Sequence, residues 1–200
     1  MKAEMILQHI YLVFSSCLIV CLLGIPLGIY SYYNKKAGKV IMTLADIVQT
    51  IPILAVMGLL MIVFGTNSVT VIIALSAYLI LPVIQNTYMG LSSVDPVYID
   101  VAEAVGMNRR QRLFKVEFPL AFPFIITGIR IAAVTGIGVA VFGVFVGGGG
   151  MGAVLYKGVR VQDMRLLLEG TAVLVLMSVC IDSALGLIEK NLFRSIKNEK

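Results

Sequence analysis

Five apolar blocks, each long enough to cross a bilayer, fill most of this chain and leave it few ways to fold. The hydrocarbon layer is roughly 30 Å thick and takes about 20 helical residues to cross. Blocks near residues 10–32, 41–64, 69–90, 120–146 and 168–188 reach that length. In lipid every backbone N–H and C=O must be satisfied within the protein, and a helix does this inside its own segment. The expected fold is all-α: one polytopic domain over residues 1–200 with about five transmembrane helices. Composition agrees, because 59% apolar and 14% charged residues leave too little polar surface to clothe a soluble globule. The first block exceeds the roughly 7–15 residues of a signal-peptide core and lacks a small-x-small cleavage site, so it reads as a retained anchor.

The formal charge is +5, but the basic residues gather at block ends. Their expected neighbours are phospholipid head groups and not nucleic acid. Cys17, Cys21 and Cys180 lie inside apolar blocks, where cysteine behaves as a small hydrophobe rather than a metal ligand or half of a disulfide. Orientation follows from lysine and arginine, which favour cytoplasmic loops. Lys35, Lys36 and Lys39, then Arg109, Arg110, Arg112 and Lys115, then Lys190, Arg194, Lys197 and Lys200 alternate onto one face. Lys2, Lys157, Arg160 and Arg165 fall on the other, and Arg130 lies within a block. The N-terminus is expected outside and the C-terminus in the cytoplasm.

The loop 91–119 is the most organised polar segment. Asp95 suits the N-cap of a helix starting at Pro96, where a missing N–H costs nothing, and Gly106 suits the left-handed position that ends it. Asn108 with Gln111 spells a capping box for a second short helix, expected to give out before Pro119. Val97, Val101 and Val105 share one face of the first helix. Such a rod can insert into a groove on a cytoplasmic partner, or lie flat on the membrane.

These residues carry a family resemblance. Asp100-Val101-Ala102, Gly106, Val116 and Phe118-Pro119 keep the spacing of the cytoplasmic signature of permease subunits of binding-protein-dependent ABC importers. That pattern is E-A-A, three residues, Gly, nine residues, an aliphatic residue, one residue, then Leu-Pro; Asp, Val and Phe are departures from it. G-I-P-L-G-I at 24–29, Q-T-I-P at 49–52, L-P-V-I-Q-N-T-Y at 81–88, V-D-P at 94–96, G-I-R at 128–130 and G-G-G-G-M-G at 147–152 look like the osmoprotectant branch. The resemblance implies a type I ABC importer permease fold in a prokaryotic cytoplasmic membrane. It implies a substrate such as glycine betaine, choline or carnitine, or alternatively ergothioneine or another small zwitterion. It implies a coupling helix that docks on a separate ATPase, with Asp95, Pro96, Val97, Asp100, Val101, Ala102, Glu103, Gly106, Arg109, Arg110 and Pro119 as the coupling residues. An extracytoplasmic binding protein and a second permease chain, identical or similar, complete the implied complex.

Several absences and placements fit that division of labour. No G-x-x-x-x-G-K-[ST] phosphate loop is present, so ATP and Mg belong to the partner ATPase and this chain is not expected to be an enzyme. With no Trp for a cation–π cage, high-affinity recognition is expected on the binding protein; Tyr78, Tyr88 and Phe142 are candidates for a transient path or for plain packing. The nominal G-x-G-x-x-G of Gly147, Gly149 and Gly152 follows an apolar helix instead of a strand and is rejected as a nucleotide site. It reads as a flexible turn, or as disorder, that with Tyr156 lies at the outer gate or meets the binding protein. The loop 147–167 also holds an amphipathic stretch around 154–168.

Asp46, Arg130 and Asp182 are ionisable groups inside blocks, at similar depth, and Arg130 is expected to pair with one or both acids. Gln49, Gln85 and Asn86 are expected to bond between helices or line the pathway. Small residues at Gly128, Ala132, Gly136 and Ala140, and at Gly24 and Gly28, form ridges for helix contacts within or between subunits. Pro26, Pro52 and Pro82 are potential kinks. His9 is expected at the membrane interface without a catalytic part. A membrane enzyme is disfavoured, since one histidine supports neither H-E-x-x-H nor a paired cluster. An ATP-independent channel is the remaining rival, opposed by the ordered loop.

Overall fold

The computed structural model describes residues 3–198, all helices and connections. Lys2 and Lys200, counted above for orientation, lie outside the described residues, as do the side chains of Arg194 and Lys197. The helices are α1 (Ala3–Tyr33), α2 (Lys35–Thr50), α3 (Ile53–Phe64), α4 (Ser68–Ser92), α5 (Pro96–Ala104), α6 (Arg109–Arg112), α7 (Phe118–Val139), α8 (Met151–Arg160) and α9 (Met164–Asn198). Four helical stretches are long and apolar enough to cross a membrane, and α2 with α3 makes a fifth only as a bent pair.

That bent pair corrects the expected straight span at 41–64. The chain turns by 96° at Ile51–Pro52. Pro52 cannot donate into a continuing helix, and the residue before a proline is pushed to extended backbone, as Ile51 is at ψ 129°. Pro26 and Pro82 lie inside single helices that continue through them.

Short connections are fixed by side-chain caps. Asn34 accepts from Ala37 N–H and starts α2; Asn67 accepts from Val69 and Thr70 N–H and starts α4. The α3–α4 turn closes further through Thr70 Oγ1 donating to Gly65 O at 2.6 Å.

Helix α4 is the centre of the bundle, held between α1 and α7 by glycines. A Cβ on Gly28 of α1 would lie 2.5 Å from Thr87 Cβ and 2.9 Å from Ile84 O. One on Gly128 of α7 would lie 2.8 Å from both Asn86 Cβ and Pro82 O, and one on Gly136 would lie 2.9 Å from Leu79 Cδ1. Both small-residue ridges are therefore used within the chain, against α4, where close backbone approach substitutes for the hydrophobic drive that lipid removes. Leu12, Met57, Leu75, Leu79 and Ile137 are fully buried around this seam.

The fourth expected span begins earlier than residue 120. From Arg109 to Val146 the helix runs for 38 residues without stopping before Pro119. Residues Leu113–Glu117 form a π turn, with Phe118 N–H donating to Leu113 O. The wider turn moves the carbonyl that a proline ring would otherwise strike, so Pro119 is accommodated at the start of α7. The last helix also exceeds its expected limits of 168–188 at both ends.

Candidate functional site

The polar loop is built as its caps require. Asp95 accepts from Val97 N–H at 3.0 Å, with Pro96 as the first helical residue. Gly106 has φ +79°, and Met107 N–H donates to Ala102 O while Gly106 N–H donates to Glu103 O, the paired bonds of a Schellman ending. Asn108 and Gln111 exchange both bonds of the capping box, each at 2.9 Å.

Ala102 is buried and holds α5 against the body of the protein. The opposite face is bare: Val97, Val101 and Val105 are 62%, 57% and 66% exposed. Asp95, Pro96, Asp100, Glu103, Arg109 and Arg110 are exposed around it, as is Pro119 at the base of α7.

Beneath the loop lies an ion network that the sequence reading missed. Glu117, in the π turn, has no exposed surface. Its carboxylate accepts from Tyr33 OH, at the end of α1, at 2.7 Å and from Arg112 Nε at 2.9 Å. Arg112 also pairs with Glu103 of α5, and the Arg109 guanidinium stacks 3.9 Å from the centre of the Tyr33 ring. Leu91, Leu113 and Ala121 form the apolar floor next to it. The available signal was a lone acid two residues before a proline, at the edge of an apolar block.

Of the two intramembrane acids expected near Arg130, one pairs with it. Arg130 forms a two-pronged bond to Asp182, at 2.6 and 2.8 Å, and a third to Glu189 at 3.0 Å; Thr127 also donates to Glu189. Asp46 is exposed on α2 and takes no part, because α2 packs on α1 and α4 while the arginine sits between α7 and α9. Glu189 was legible in principle, since it follows Asp182 by seven residues and shares its helix face.

Gln49 bonds between helices as expected, donating to Tyr78 O at 2.8 Å. That carbonyl is the one Pro82 leaves without its helical donor. Asn86 instead bonds within its own helix, to Pro82 O, and Gln85 is half-buried and makes no hydrogen bond among the described residues. Tyr78 and Tyr88 are half-buried and Phe142 is exposed.

The glycine turn is a packed joint and not a loose loop. Gly147, Gly149 and Gly150 have φ +78°, +67° and +67°. Gly150 N–H donates to Gln8 Oε1 at 3.0 Å, and a Cβ on Gly149 would lie 2.5 Å from the same oxygen. A Cβ on Gly152 would strike Val141 O. The glycines are thus needed for close approach to α1 and to the preceding 3-10 turn (Ala140–Val146). The expected outer loop becomes α8, whose exposed Tyr156 packs edge-on to Phe145 at 5.4 Å. His9 is likewise buried within the protein, its Nε2 3.0 Å from Ile137 O.

A helical bundle around a central span, with a rigid polar loop presenting an apolar stripe at one end, is the architecture of a membrane transport subunit. The chain belongs to the family described as binding-protein-dependent transport system inner membrane component, whose pattern matches residues 22–196. It is 36% identical to the glycine betaine/carnitine/choline transport system permease protein OpuCD of Bacillus subtilis (strain 168), over 96% of this chain and 84% of that one. It is 34% identical to the carnitine transport permease protein OpuCD of Listeria monocytogenes, over 96% and 86%. The osmoprotectant import permease protein OsmY of Salmonella typhimurium is 34% identical over 90% and 77%. The fold matches the inward-facing MetNI methionine ABC transporter with a TM-score of 0.85 at 19% identity, covering 96% of this chain and 99% of that one. The chain is a multi-pass permease subunit of a binding-protein-dependent ABC importer, a transport subunit and not an enzyme.

Proposed function

We propose that this chain moves a quaternary ammonium osmoprotectant, such as glycine betaine, choline or carnitine, into the cytoplasm by ATP-driven alternating access. The observation that carries the coupling half of this reading is the α5 stripe. Val97, Val101 and Val105 are mostly exposed among the described residues, and caps at both ends of α5 close the helix. An apolar helix face at helical spacing suits a groove on a soluble partner. The partner is a cytoplasmic ATPase, which binds ATP and Mg; the loop Asp95–Arg112 is the docking element, and its displacement is delivered to α7 through one continuous helix. The N-terminus lies outside and the C-terminus in the cytoplasm, in line with the basic loops.

The cargo class rests on the named relatives. Substrate arrives from an extracytoplasmic binding protein, for which the glycine joint and Tyr156 mark the receiving end, and a second permease chain completes the pathway. Ergothioneine or another small zwitterion would use the same architecture.

The test is to purify the tagged chain from its host in mild detergent, identify co-purifying proteins by mass, and titrate the recovered binding protein with betaine, choline, carnitine and ergothioneine. Recovery of an ATPase and a binding protein that takes one of the first three supports the reading. A lone chain that conducts without ATP contradicts it.

A further inference from the structure

We propose that Glu117 is the positioning residue that makes the polar loop and two membrane helices move as one body. This inference rests on the docking of an ATPase at α5. Glu117 is fully buried, and its carboxylate holds Tyr33 at the end of α1 at 2.7 Å and Arg112 at the end of α6 at 2.9 Å. Arg112 carries the link on to Glu103 of α5. Glu117 is itself the last residue of the π turn that leads into α7. The carboxylate therefore joins α1, α6 and the start of α7 directly, and α5 through Arg112.

A buried ionised group is costly unless its oxygens are paired, and removing one partner leaves an uncompensated charge. Such a group adds little net stability over an apolar filling, but it is satisfied by one arrangement of its neighbours only. Here that arrangement fixes the loop to α1 as well as to α7. A push on α5 then cannot be absorbed by sliding the loop across the end of α1, because sliding would strip Glu117 of Tyr33. The apolar floor of Leu91, Leu113 and Ala121 carries no donor, and Tyr32 beside it makes no hydrogen bond to the carboxylate. The π turn adds a reason for placement at this point, since a widened turn is a natural site of bending and the network braces it from three sides.

The test uses the assembled complex of permease, ATPase and binding protein in liposomes. The readout is substrate moved per ATP hydrolysed, with co-purified ATPase as the control for docking. Glu117→Gln keeps the shape and loses the charge; Tyr33→Phe removes one hydroxyl and leaves the ring under Arg109. Each is expected to retain bound ATPase and its hydrolysis while transport per ATP falls on the order of tenfold, the effect of losing one charge-assisted hydrogen bond. Glu117→Asp, which keeps the charge, is expected to recover part of the loss. Unchanged transport per ATP in both Glu117→Gln and Tyr33→Phe would overturn the proposal, as would loss of bound ATPase in Tyr33→Phe, which would make the network a docking scaffold only. Failure of the wild-type chain to retain an ATPase at all would instead overturn the docking reading on which the inference stands.

Discussion

Gln49 and Pro82 should be energetically coupled although they lie on different helices. Pro82 has no N–H, so the Tyr78 carbonyl one turn earlier lacks its helical donor. Gln49 Nε2 supplies that bond at 2.8 Å, from the end of α2 beside the 96° bend. Gln49→Ala leaves the carbonyl orphaned in a part-buried site. An unsatisfied buried group costs about 1–3 kcal/mol in soluble proteins, while interhelical bonds in membranes average about 0.6 and reach about 1.7. Between these limits the loss here is about 1 kcal/mol. In a Pro82→Ala background the residue-82 N–H returns to Tyr78 O, so the same Gln49→Ala change should cost less than about 0.5 kcal/mol. The assay is equilibrium unfolding of the four variants in mixed detergent micelles, read as a double-mutant cycle. Equal cost of Gln49→Ala in both backgrounds would refute the reasoning, because the glutamine would then be acting through packing alone.

Gly106→Asp is expected to leave insertion intact and uncouple hydrolysis from uptake; φ is +79° and the Cβ meets open space, so a local strain of about 1 kcal/mol falls on the end of α5 alone. Normal uptake by that variant would contradict docking at α5. Gly128→Ala should destabilise the bundle by about 1–3 kcal/mol because two α4 backbone groups stand in the way. Gly138→Ala on the same helix, where a Cβ meets nothing within 4 Å, should be neutral or stabilising, and thermal melting in detergent separates the two. Melting should also test the clamp between α7 and α9: Arg130→Ala should lose most, Asp182→Asn and Glu189→Gln, each removing the charge from an acid that accepts two bonds, should lose less, and Asp46→Asn should not register.

Periodic local signals were the ones most legible in the sequence. Block length marked the four spans that occur as single long helices but not the bend in the block 41–64, and the caps at Asp95, Gly106 and Asn108 occur as the residue types demand. What escaped depended on partners distant in sequence. Glu117 and Tyr33 are 84 residues apart, and no local pattern announces that the end of α1 will reach the base of α7. The bend at Pro52 was visible as a kink, but not its 96° size, which goes with the packing of both α2 and α3 on α4. The glycine run 147–150 looked like a loose turn because glycine frees the backbone and also permits close packing; only Gln8 and His9, 142 and 141 residues before Gly150, decide for packing. Asp46 and Asp182 were alike in sequence, and the helix each sits on decided which one met Arg130.

The most direct test of the account is uptake of labelled glycine betaine, choline and carnitine by the complete complex in liposomes, with and without ATP on the ATPase side. ATP-driven import requires accumulation of at least one of them above the external concentration, dependent on both ATP and the binding protein. Equilibration of the label down its gradient without ATP would contradict it and make the chain a channel.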